Sequence, residues 1–234
     1  MRRIRALLDA CILIKGNVSN VFFDLALKDQ IALHWTPEVG EEFVKNWTAI
    51  QLRKEGAPTN DHSAQDDRNR SMKEIAAQNR LRLFGLIQPE WRIPSWSFEE
   101  TSKEYSLSDF GVGAPGGVHH GDIHVALAAA TLAKTFPDDE VWLVTENTKH
   151  LPNEILSRHG VWSIHQSMAL QTLFNLDQEA VCQAIEQTIA DTRRPELSKG
   201  DMLRVVSAST GFACASVAAS LQQRWGVKPT AGKN

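Results

Sequence analysis

The sequence predicts an α/β fold, in which helices cover both faces of a short parallel sheet. Apolar runs with the length of buried strands lie at residues 4–14, 31–35, 140–145 and 161–164, and stretches with apolar residues at helical spacing separate them. This alternation of strand and helix is typical of a parallel sheet. No strand pattern follows residue 165, so we expect the chain to end in a purely helical part.

Composition and charge narrow the class of protein. A chain of 234 residues suits one large domain, or a domain with an appendage,. Its formal net charge of −3 is unlike that of a strongly basic nucleic-acid binder, although a nucleic-acid enzyme can use a local basic rim. The cysteines Cys11, Cys182 and Cys214 match neither a disulfide framework nor a zinc spacing, which favours a reducing compartment such as the cytoplasm,.

Two apolar stretches could be taken for export or membrane segments. The first begins M-R-R, as a signal peptide would, but Asp9 and Lys15 interrupt its apolar run, so we expect no export signal,. The second, residues 205–221, is uncharged but rich in Ala, Ser, Thr and Gly, which gain little in hydrocarbon,. We therefore predict a closely packed helix of a soluble protein there, and no membrane partner.

The first apolar run carries a lone aspartate, Asp9, within the sequence L-L-D-A-C-I-L at residues 7–13. An unpaired buried charge costs several kcal/mol, so this carboxylate needs a metal ion or a buried partner. We place Asp9 at the carboxyl end of the first central strand, where ligands gather in open α/β sheets. The simpler alternative is an aspartate that caps the turn after the strand.

The elements up to residue 118 are predicted from turn residues and helix-start signals. Residues 17–20 indicate a turn before a helix, and Thr36 is a good N-cap for the helix after the second strand,. The polar residues 54–70 predict a loop or insertion, followed by a helix over 71–84. Prolines and glycines predict irregular structure over 88–118,.

Beyond residue 118 the pattern becomes regular. An alanine-rich helix follows Asp122, which has the position of its N-cap,. The strand at 140–145 precedes a short helix over 152–159, with Gly160 as its C-cap,. After the last strand we expect only helices, including a single one over 203–225,.

Three acidic residues and an asparagine are predicted at the ends or on the faces of these elements. Asp9 ends a strand and Glu42 lies on a helix, while Asp122 opens a helix and Asn147 follows a strand. Carboxylate and amide oxygens suit hard cations such as Mg²⁺ or Mn²⁺. Without a metal, clustered carboxylates would repel one another, and one would take up a proton. The four residues are therefore candidate ligands of a catalytic metal.

Four short motifs occur in order along the chain: L-L-D-A-C-I-L (7–13), T-P-E-V-G-E-E-F-V (36–44), H-G-D-I-H-V-A-L-A-A-A (120–130) and T-E-N-T-K-H-L-P (145–152). In order and setting they resemble the acidic-site motifs of the PIN-domain ribonucleases, a family that includes the VapC-type toxins. The resemblance covers about residues 1–52 and 118–175. It implies an α/β/α sandwich around a short parallel sheet and divalent-metal-dependent endonuclease cleavage of RNA phosphodiester bonds.

The resemblance assigns the catalytic and metal site, with Mg²⁺ or Mn²⁺ as cofactor, to four residues: Asp9, Glu42, Asp122 and Asn147. Glu38 and Glu41 compete with Glu42 for the helix position. Three departures from the family pattern stand out. Cys11 occupies a place where many relatives have Asn, and His150 replaces an expected acid. Asp122 follows Glu42 by 80 positions, which is longer than the expected gap.

These observations divide the chain into a PIN-like nuclease domain over 1–175, with an insertion at 53–118, and a helical C-terminal extension over 176–234. Implied partners are an RNA substrate and, for the toxin of a toxin–antitoxin system, a cognate antitoxin protein. The extension could serve that contact or the formation of a homodimer. The alternative function is a degenerate PIN-like module that binds RNA or protein without cutting. Retention of three carboxylates argues against that alternative.

Other chemically suggestive residues have plainer interpretations. His119, His120 and His124 could form a zinc cluster, but no cysteine accompanies them, so zinc is less favoured. Trp91 and Trp96 could stack on bases or fasten the insertion to the core. Basic side chains that could line an RNA groove, but are usually just solvated, are Arg53, Lys54, Arg68, Arg70, Arg80 and Arg82. An aspartyl-phosphate phosphatase usually needs a second aspartate where Cys11 stands, which disfavours that class.

Overall fold

Four parallel strands form the sheet of this protein. The computed structural model describes residues 2–54, 62–86, 102–192 and 196–227, with the backbone alone at 62–65 and 79–86. The strands are β1 (Ile4–Leu8), β2 (Ala32–His34), β3 (Glu140–Val144) and β4 (Val161–Ile164). All pairings are parallel, so the predicted mixed α/β class with a short parallel sheet is confirmed.

The strand order places the end of β1 at the centre of the sheet. The order is β2-β1-β3-β4. The chain moves from β1 to β2 in one direction and forms β3 and β4 in the other, so a topological switch point lies between β1 and β3. Leu8 pairs with Val144 in register. The next residues, Asp9 and Thr145, therefore leave the sheet side by side at its carboxyl edge.

The helices surround this sheet and continue to the end of the described chain. They are α1 (Ala10–Leu13), α2 (Gly16–Leu27), α3 (Pro37–Lys54), α4 (His62–Leu86), α5 (Ile123–Thr135), α6 (Asn153–Leu156), α7 (Gln166–Leu176), α8 (Gln178–Asp191), α9 (Lys199–Ser207) and α10 (Ala215–Trp225). Short 3₁₀ turns cover Leu107–Phe110, His120–Asp122 and Ser157–His159. Gly160 ends the last of these turns with a φ of 75°, which confirms its predicted capping role,.

The first apolar run forms a strand and a helix rather than one strand. β1 stops at Leu8, and the residues after Asp9 form the single turn of α1. Helix α2 then begins at Gly16, so the turn predicted at 17–20 is wrong. The segment is instead the first turn of a helix whose inner side chains are buried in the core.

The predicted start of α3 is confirmed. Thr36 Oγ1 accepts a hydrogen bond from the Val39 N–H at 3.2 Å, as an N-cap does,. Val39 and Phe43 are buried and hold the helix against the core. The Glu42 side chain lies at the margin of this buried face and is 35% exposed.

The loop predicted over 54–70 is wrong from residue 62 onward. Helix α4 begins at His62 and ends at Leu86, whereas the sequence predicted a helix over 71–84. Residues 62–70 contain neither glycine nor proline, and a polar segment can be helical when it packs on a neighbour. Helix α4 packs along α3. Residues 55–61 and 87–101 lie outside the described part, and 102–118 are mostly turns, as predicted.

The helix predicted over 203–225 is divided into α9 and α10. In the turn between them, the Phe212 N–H donates to the Val205 carbonyl oxygen at 2.8 Å. Gly211 permits this approach, because a Cβ atom there would lie 1.9 Å from the same oxygen,. Among the described residues, no helix has both the length and the apolar character needed to cross a membrane.

The C-terminal helices share one apolar cluster with the sheet. Ile185 of α8 and Leu221 of α10 are fully buried in the cluster that contains the strand side chains. Helix α8 packs on α2, and the ring centroids of Phe212 and Phe22 are 5.9 Å apart. The domain boundary near residue 176 stays a prediction, although the described helices on both sides of it contribute to this core.

Asp24 is a buried carboxylate at the contact between α2 and α8. It is 6% exposed and accepts a hydrogen bond from the Thr188 hydroxyl. Burial raises the pKa of Asp24 from 3.8 to about 6, while the hydrogen bond from Thr188 opposes this rise. The charged form of Asp24 therefore destabilises the fold at neutral pH.

We expect Asp24→Asn to stabilise the protein at neutral pH. The pKa of Asp24 is higher in the folded than in the unfolded protein. The protonated carboxyl therefore contributes fully to the free energy of unfolding below about pH 4, and this contribution is lost as pH rises through about 6,. Asparagine stays neutral and can still accept from Thr188. Chemical denaturation should give a gain in the free energy of unfolding of about 2–3 kcal/mol at neutral pH. Little gain should remain near pH 4. The exposed Asp138→Asn serves as the control, and an equal effect at both pH values would contradict the assignment.

Candidate functional site

Asp9 lies at the carboxyl end of the central strand β1. It occupies the N-cap position of α1, but its side chain makes no capping hydrogen bond. The residue is only 5% exposed. Its Oδ2 atom accepts hydrogen bonds from the Thr145 hydroxyl at 2.7 Å and the Cys11 thiol at 3.1 Å. These two donors orient the carboxylate and offset part of the cost of burying it.

Cys11 is a neutral hydrogen-bond donor in this site. Burial, followed by the negative charge of Asp9, raises the pKa of the Cys11 thiol to about 12. The thiol therefore stays protonated at neutral pH and can donate to Asp9. Its chemistry is that of a positioning group, since the nucleophilic form of cysteine is the thiolate.

Thr145 connects the ends of β1 and β3. Its side chain is fully buried, and its Oγ1 atom donates to Asp9 while it accepts the Asn147 N–H at 2.9 Å. One hydroxyl thus fixes both the carboxylate of Asp9 and the backbone of the turn that carries Asn147. The register of β1 and β3, which pairs Leu8 with Val144, places Thr145 next to Asp9 and so makes this role possible.

Glu42 approaches the same edge of the sheet from α3. Its Oε1 accepts from the Asn46 amide at 3.2 Å, and its Oε2 lies 3.7 Å from His124 Nε2 on α5. Burial raises the pKa of Glu42 above its usual range, and the negative charge of Asp9 raises it further. His124 and Asn46 oppose this rise.

Asp122 stands just before α5, at the end of the 3₁₀ turn. It has the predicted N-cap position, but its side chain makes no capping hydrogen bond. Burial raises the pKa of Asp122, the charge of Asp9 raises it further, and His150 and His119 oppose the rise. Asp9 therefore acts on both Glu42 and Asp122, as expected for three carboxylates that approach one another from separate elements.

Asn147 lies beside Asp122, in the turn after β3. Its amide nitrogen is 3.5 Å from Asp122 Oδ2 and 2.8 Å from His150 Nδ1. As oriented, the amide NH₂ rather than the amide oxygen faces Asp122. Asn147 therefore positions its neighbours in this structure, and its predicted role as an oxygen ligand stays a prediction.

The donor set fits a hard divalent cation. Asp9, Glu42 and Asp122 offer carboxylate oxygens, which are ligands that Mg²⁺ and Mn²⁺ prefer. The raised pKa values of Glu42 and Asp122 reflect burial and mutual repulsion, and a bound cation would relieve both. The charge of Asp9 acts on Glu42 and Asp122, and Asn147 contacts Asp122. Among the described residues, however, the group whose potential ligand atoms all lie within 4.8 Å of one another consists of His119, Asp122 and His150, so the four-residue metal site stays a prediction.

A polar network links this edge to the C-terminal helices. Glu146, between Thr145 and Asn147, forms an ion pair with Lys15 and accepts from the Gln166 amide at 2.7 Å. The same amide donates to the Gly211 carbonyl at 3.0 Å, and Lys15 donates to the Thr210 carbonyl at 2.8 Å. The turn between α9 and α10 is therefore fastened to the strand end that carries the site.

We expect Gln166→Leu to weaken this connection. Gln166 is fully buried, so its loss would leave the Gly211 carbonyl and Glu146 without an amide donor, at a cost of about 1–3 kcal/mol in the free energy of unfolding. Urea denaturation measures that loss. The matched control is Gln183→Leu, which removes an exposed amide that donates to Glu179 within helix α8. It should change the free energy of unfolding by less than about 0.5 kcal/mol. Equal effects of the two substitutions would contradict the role of Gln166.

A cavity of about 540 Å³ lies on the other side of Lys15, between the start of α2 and helix α9. Its lining includes Lys15, Asn17, Arg204 and Gly211, and none of the four predicted site residues. The cavity is therefore separate from the predicted site.

The other candidates from the sequence are only partly described. Of the suggested basic residues, Arg70 contacts Asp67 at 3.7 Å. The side chains of Arg80 and Arg82, as well as Trp91 and Trp96, lie outside the described residues. His119 and His120 precede α5, as the sequence allowed. The sequence missed the approach of His150 to Asp122, because the two belong to segments that only the tertiary fold brings together.

Comparisons with protein-family models, with curated proteins and with solved structures find no match for this chain. The mixed α/β fold with a parallel sheet is established by the structure. The PIN-domain resemblance stays a prediction that rests on the four motifs and on the residues that they bring to the edge of the sheet.

Proposed function

We propose that this protein is a divalent-metal-dependent endoribonuclease with a PIN-like α/β/α sandwich. One observation carries the proposal: Asp9, Glu42 and Asp122 come from a strand end, a helix and a helix start, and the charge of Asp9 raises the pKa of the other two carboxyls. Asp9 leaves the sheet beside its switch point, where α/β proteins bind their ligands. Carboxylates held in this way suit a metal that acts on phosphate oxygens.

Each residue has a defined part in this proposal. Asp9, Glu42 and Asp122 would hold Mg²⁺ or Mn²⁺, with Asn147 as a further oxygen ligand. Such an ion would supply an activated water and would stabilise the negative charge of the leaving oxygen. Thr145 keeps Asp9 fixed through its 2.7 Å hydrogen bond, so that its carboxylate does not have to reorganise when it binds a cation.

The biological setting is part of the same proposal. By resemblance, the enzyme would be the toxin of a toxin–antitoxin system in the cytoplasm, with a cognate antitoxin that covers the acidic edge. The C-terminal helices would contact that antitoxin or a second copy of the chain. A neighbouring reading frame that encodes a small, partly disordered protein would support the toxin assignment, and its absence would favour a housekeeping nuclease.

The direct test is cleavage of structured RNA by purified protein in Mg²⁺, in Mn²⁺ and in excess EDTA. We expect discrete products with either metal and intact RNA with EDTA, because the carboxylates alone lack an activated water. Equally intact RNA in all three conditions, over a range of RNAs, would contradict the proposal.

The second candidate is a degenerate PIN-like module that binds RNA or protein without cutting. The observation that favours it is His150, which replaces an expected acid and lies 3.3 Å from Asp122 Oδ2. Tight RNA binding that persists in EDTA, without cleavage in any metal, would select this candidate.

A further inference from the structure

Two histidines and an aspartate form a nitrogen-containing cluster beside the carboxylates. One potential ligand atom from each of His119, Asp122 and His150 lies within 4.8 Å of the other two. Asp122 Oδ2 is 3.3 Å from His150 Nδ1 and 3.7 Å from His119 Nδ1. The two imidazole rings stack with their centroids 4.6 Å apart.

Both histidines direct their Nδ1 atom toward Asp122. His119 Nδ1 accepts a hydrogen bond from the Gly121 N–H at 3.2 Å, and His150 Nδ1 lies 2.8 Å from the Asn147 amide nitrogen. A nitrogen that accepts a hydrogen bond carries a lone pair, and an ionised carboxylate only accepts. His119 Nδ1, His150 Nδ1 and an Asp122 carboxylate oxygen are thus three potential ligand atoms close enough to share one ion.

We infer that His119, Asp122 and His150 bind a first-row transition-metal ion, with Co²⁺ and Zn²⁺ preferred over Mg²⁺. Imidazole nitrogen suits these ions, whereas Mg²⁺ is held by oxygen ligands. The histidine side chains are 60% and 49% exposed, so three protein ligands would leave coordination positions open to water, as in catalytic rather than structural metal sites.

This inference deepens the proposed function. It rests on that function in one respect, because Asp122 belongs both to the proposed nuclease site and to the histidine site. The replacement of an acid by His150 then changes the kind of ion that is bound. The oxygen site of Asp9 and Glu42 selects a hard cation, and the histidine site next to it selects a softer one.

The test measures binding of the metal alone. Full-length protein freed of metal with EDTA is titrated with Co²⁺, followed by visible absorption and by calorimetry, with Zn²⁺ and Mg²⁺ as competitors. We expect Zn²⁺ to displace Co²⁺ and Mg²⁺ not to do so at equal concentration. His119→Gln and His150→Gln should each weaken Co²⁺ binding more than about 10-fold.

A control variant separates this site from its surroundings. His120→Gln alters an exposed histidine next to the cluster and should bind Co²⁺ as the wild type does. If both histidine variants bind Co²⁺ as tightly as wild type, the cluster is an ordinary contact of histidine with carboxylate and the inference is overturned.

The outcomes also distinguish this inference from the nuclease proposal. Histidine-dependent Co²⁺ binding in a protein that cleaves no RNA would support the metal site and contradict the nuclease. If the protein cleaves RNA with Mg²⁺ and both histidine variants bind Co²⁺ as tightly as wild type, the nuclease proposal is supported and the metal site is overturned.

Discussion

Replacement of Asp9 by asparagine should lower metal-dependent RNA cleavage at least about 100-fold, or ~3 kcal/mol of transition-state stabilisation. The substitution keeps the size of the side chain and an acceptor for the Thr145 hydroxyl, whose hydrogen bond is 2.7 Å long. It removes the charge that a divalent cation needs from this residue. Initial rates of cleavage of an end-labelled RNA, measured with saturating Mn²⁺, give the size of the loss.

The matched control is Asp138→Asn, which removes one negative charge from an exposed position before β3. It should cleave RNA at the wild-type rate. Thermal melting of both variants shows whether each is folded, so that lost cleavage is not caused by unfolding. A folded Asp9→Asn protein that cleaves within a few-fold of wild type would exclude Asp9 as a metal ligand.

The second large effect concerns the packing of the C-terminal helices. Phe212→Ala should lower the free energy of unfolding by about 3–5 kcal/mol. Phe212 is fully buried, and its ring lies 5.9 Å from that of Phe22 on α2. Removal of the ring would leave a cavity between the turn after α9 and the core. Chemical denaturation, followed by far-UV circular dichroism, measures the loss.

Leu176→Ala is the control for this experiment. Leu176 ends α7 and is 66% exposed, so its truncation should change stability by less than about 0.5 kcal/mol. A Phe212→Ala protein that unfolds like wild type would mean that the C-terminal helices do not belong to the common core. In that case the helical extension would be a separate unit after all.

The strands and Asp9 could be predicted because their signals are local. An apolar run interrupted by one carboxylate predicts a strand end, and Thr36 before a proline predicts the start of α3. Both signals need only a few neighbouring residues, and both are confirmed. The strand order and register were not predicted, because parallel strands alone determine neither; the structure supplies them, and they place Asp9 beside Thr145.

The predictions that failed depend on packing. Residues 62–70 are polar and carry no apolar stripe, so the local pattern does not show that they begin a helix that packs along α3. The break between α9 and α10 depends on a close approach of Gly211 to Val205, which sequence spacing does not show. In both places tertiary contacts outweigh the local pattern.

The composition of the site was also only partly predictable. The acids could be proposed from their places at element ends, but the histidine cluster joins His119, before α5, to His150, after β3. The sequence instead suggested His119, His120 and His124, which are close along the chain. Spatial neighbours from different segments need the fold, and the same holds for the bond between Asp24 and Thr188.

The most direct test of the central claim is the origin of the oxygen in the cleavage products. RNA is cleaved with Mn²⁺ in H₂¹⁸O by wild type and Asp9→Asn, and the product ends are analysed by mass spectrometry. Attack by an activated water predicts that wild type forms a terminal phosphate that carries ¹⁸O and forms no 2′,3′-cyclic phosphate. The Asp9→Asn protein should form no cleavage products. A cyclic phosphate, or cleavage that continues unchanged in the Asp9→Asn protein, would contradict a metal-held water at this cluster.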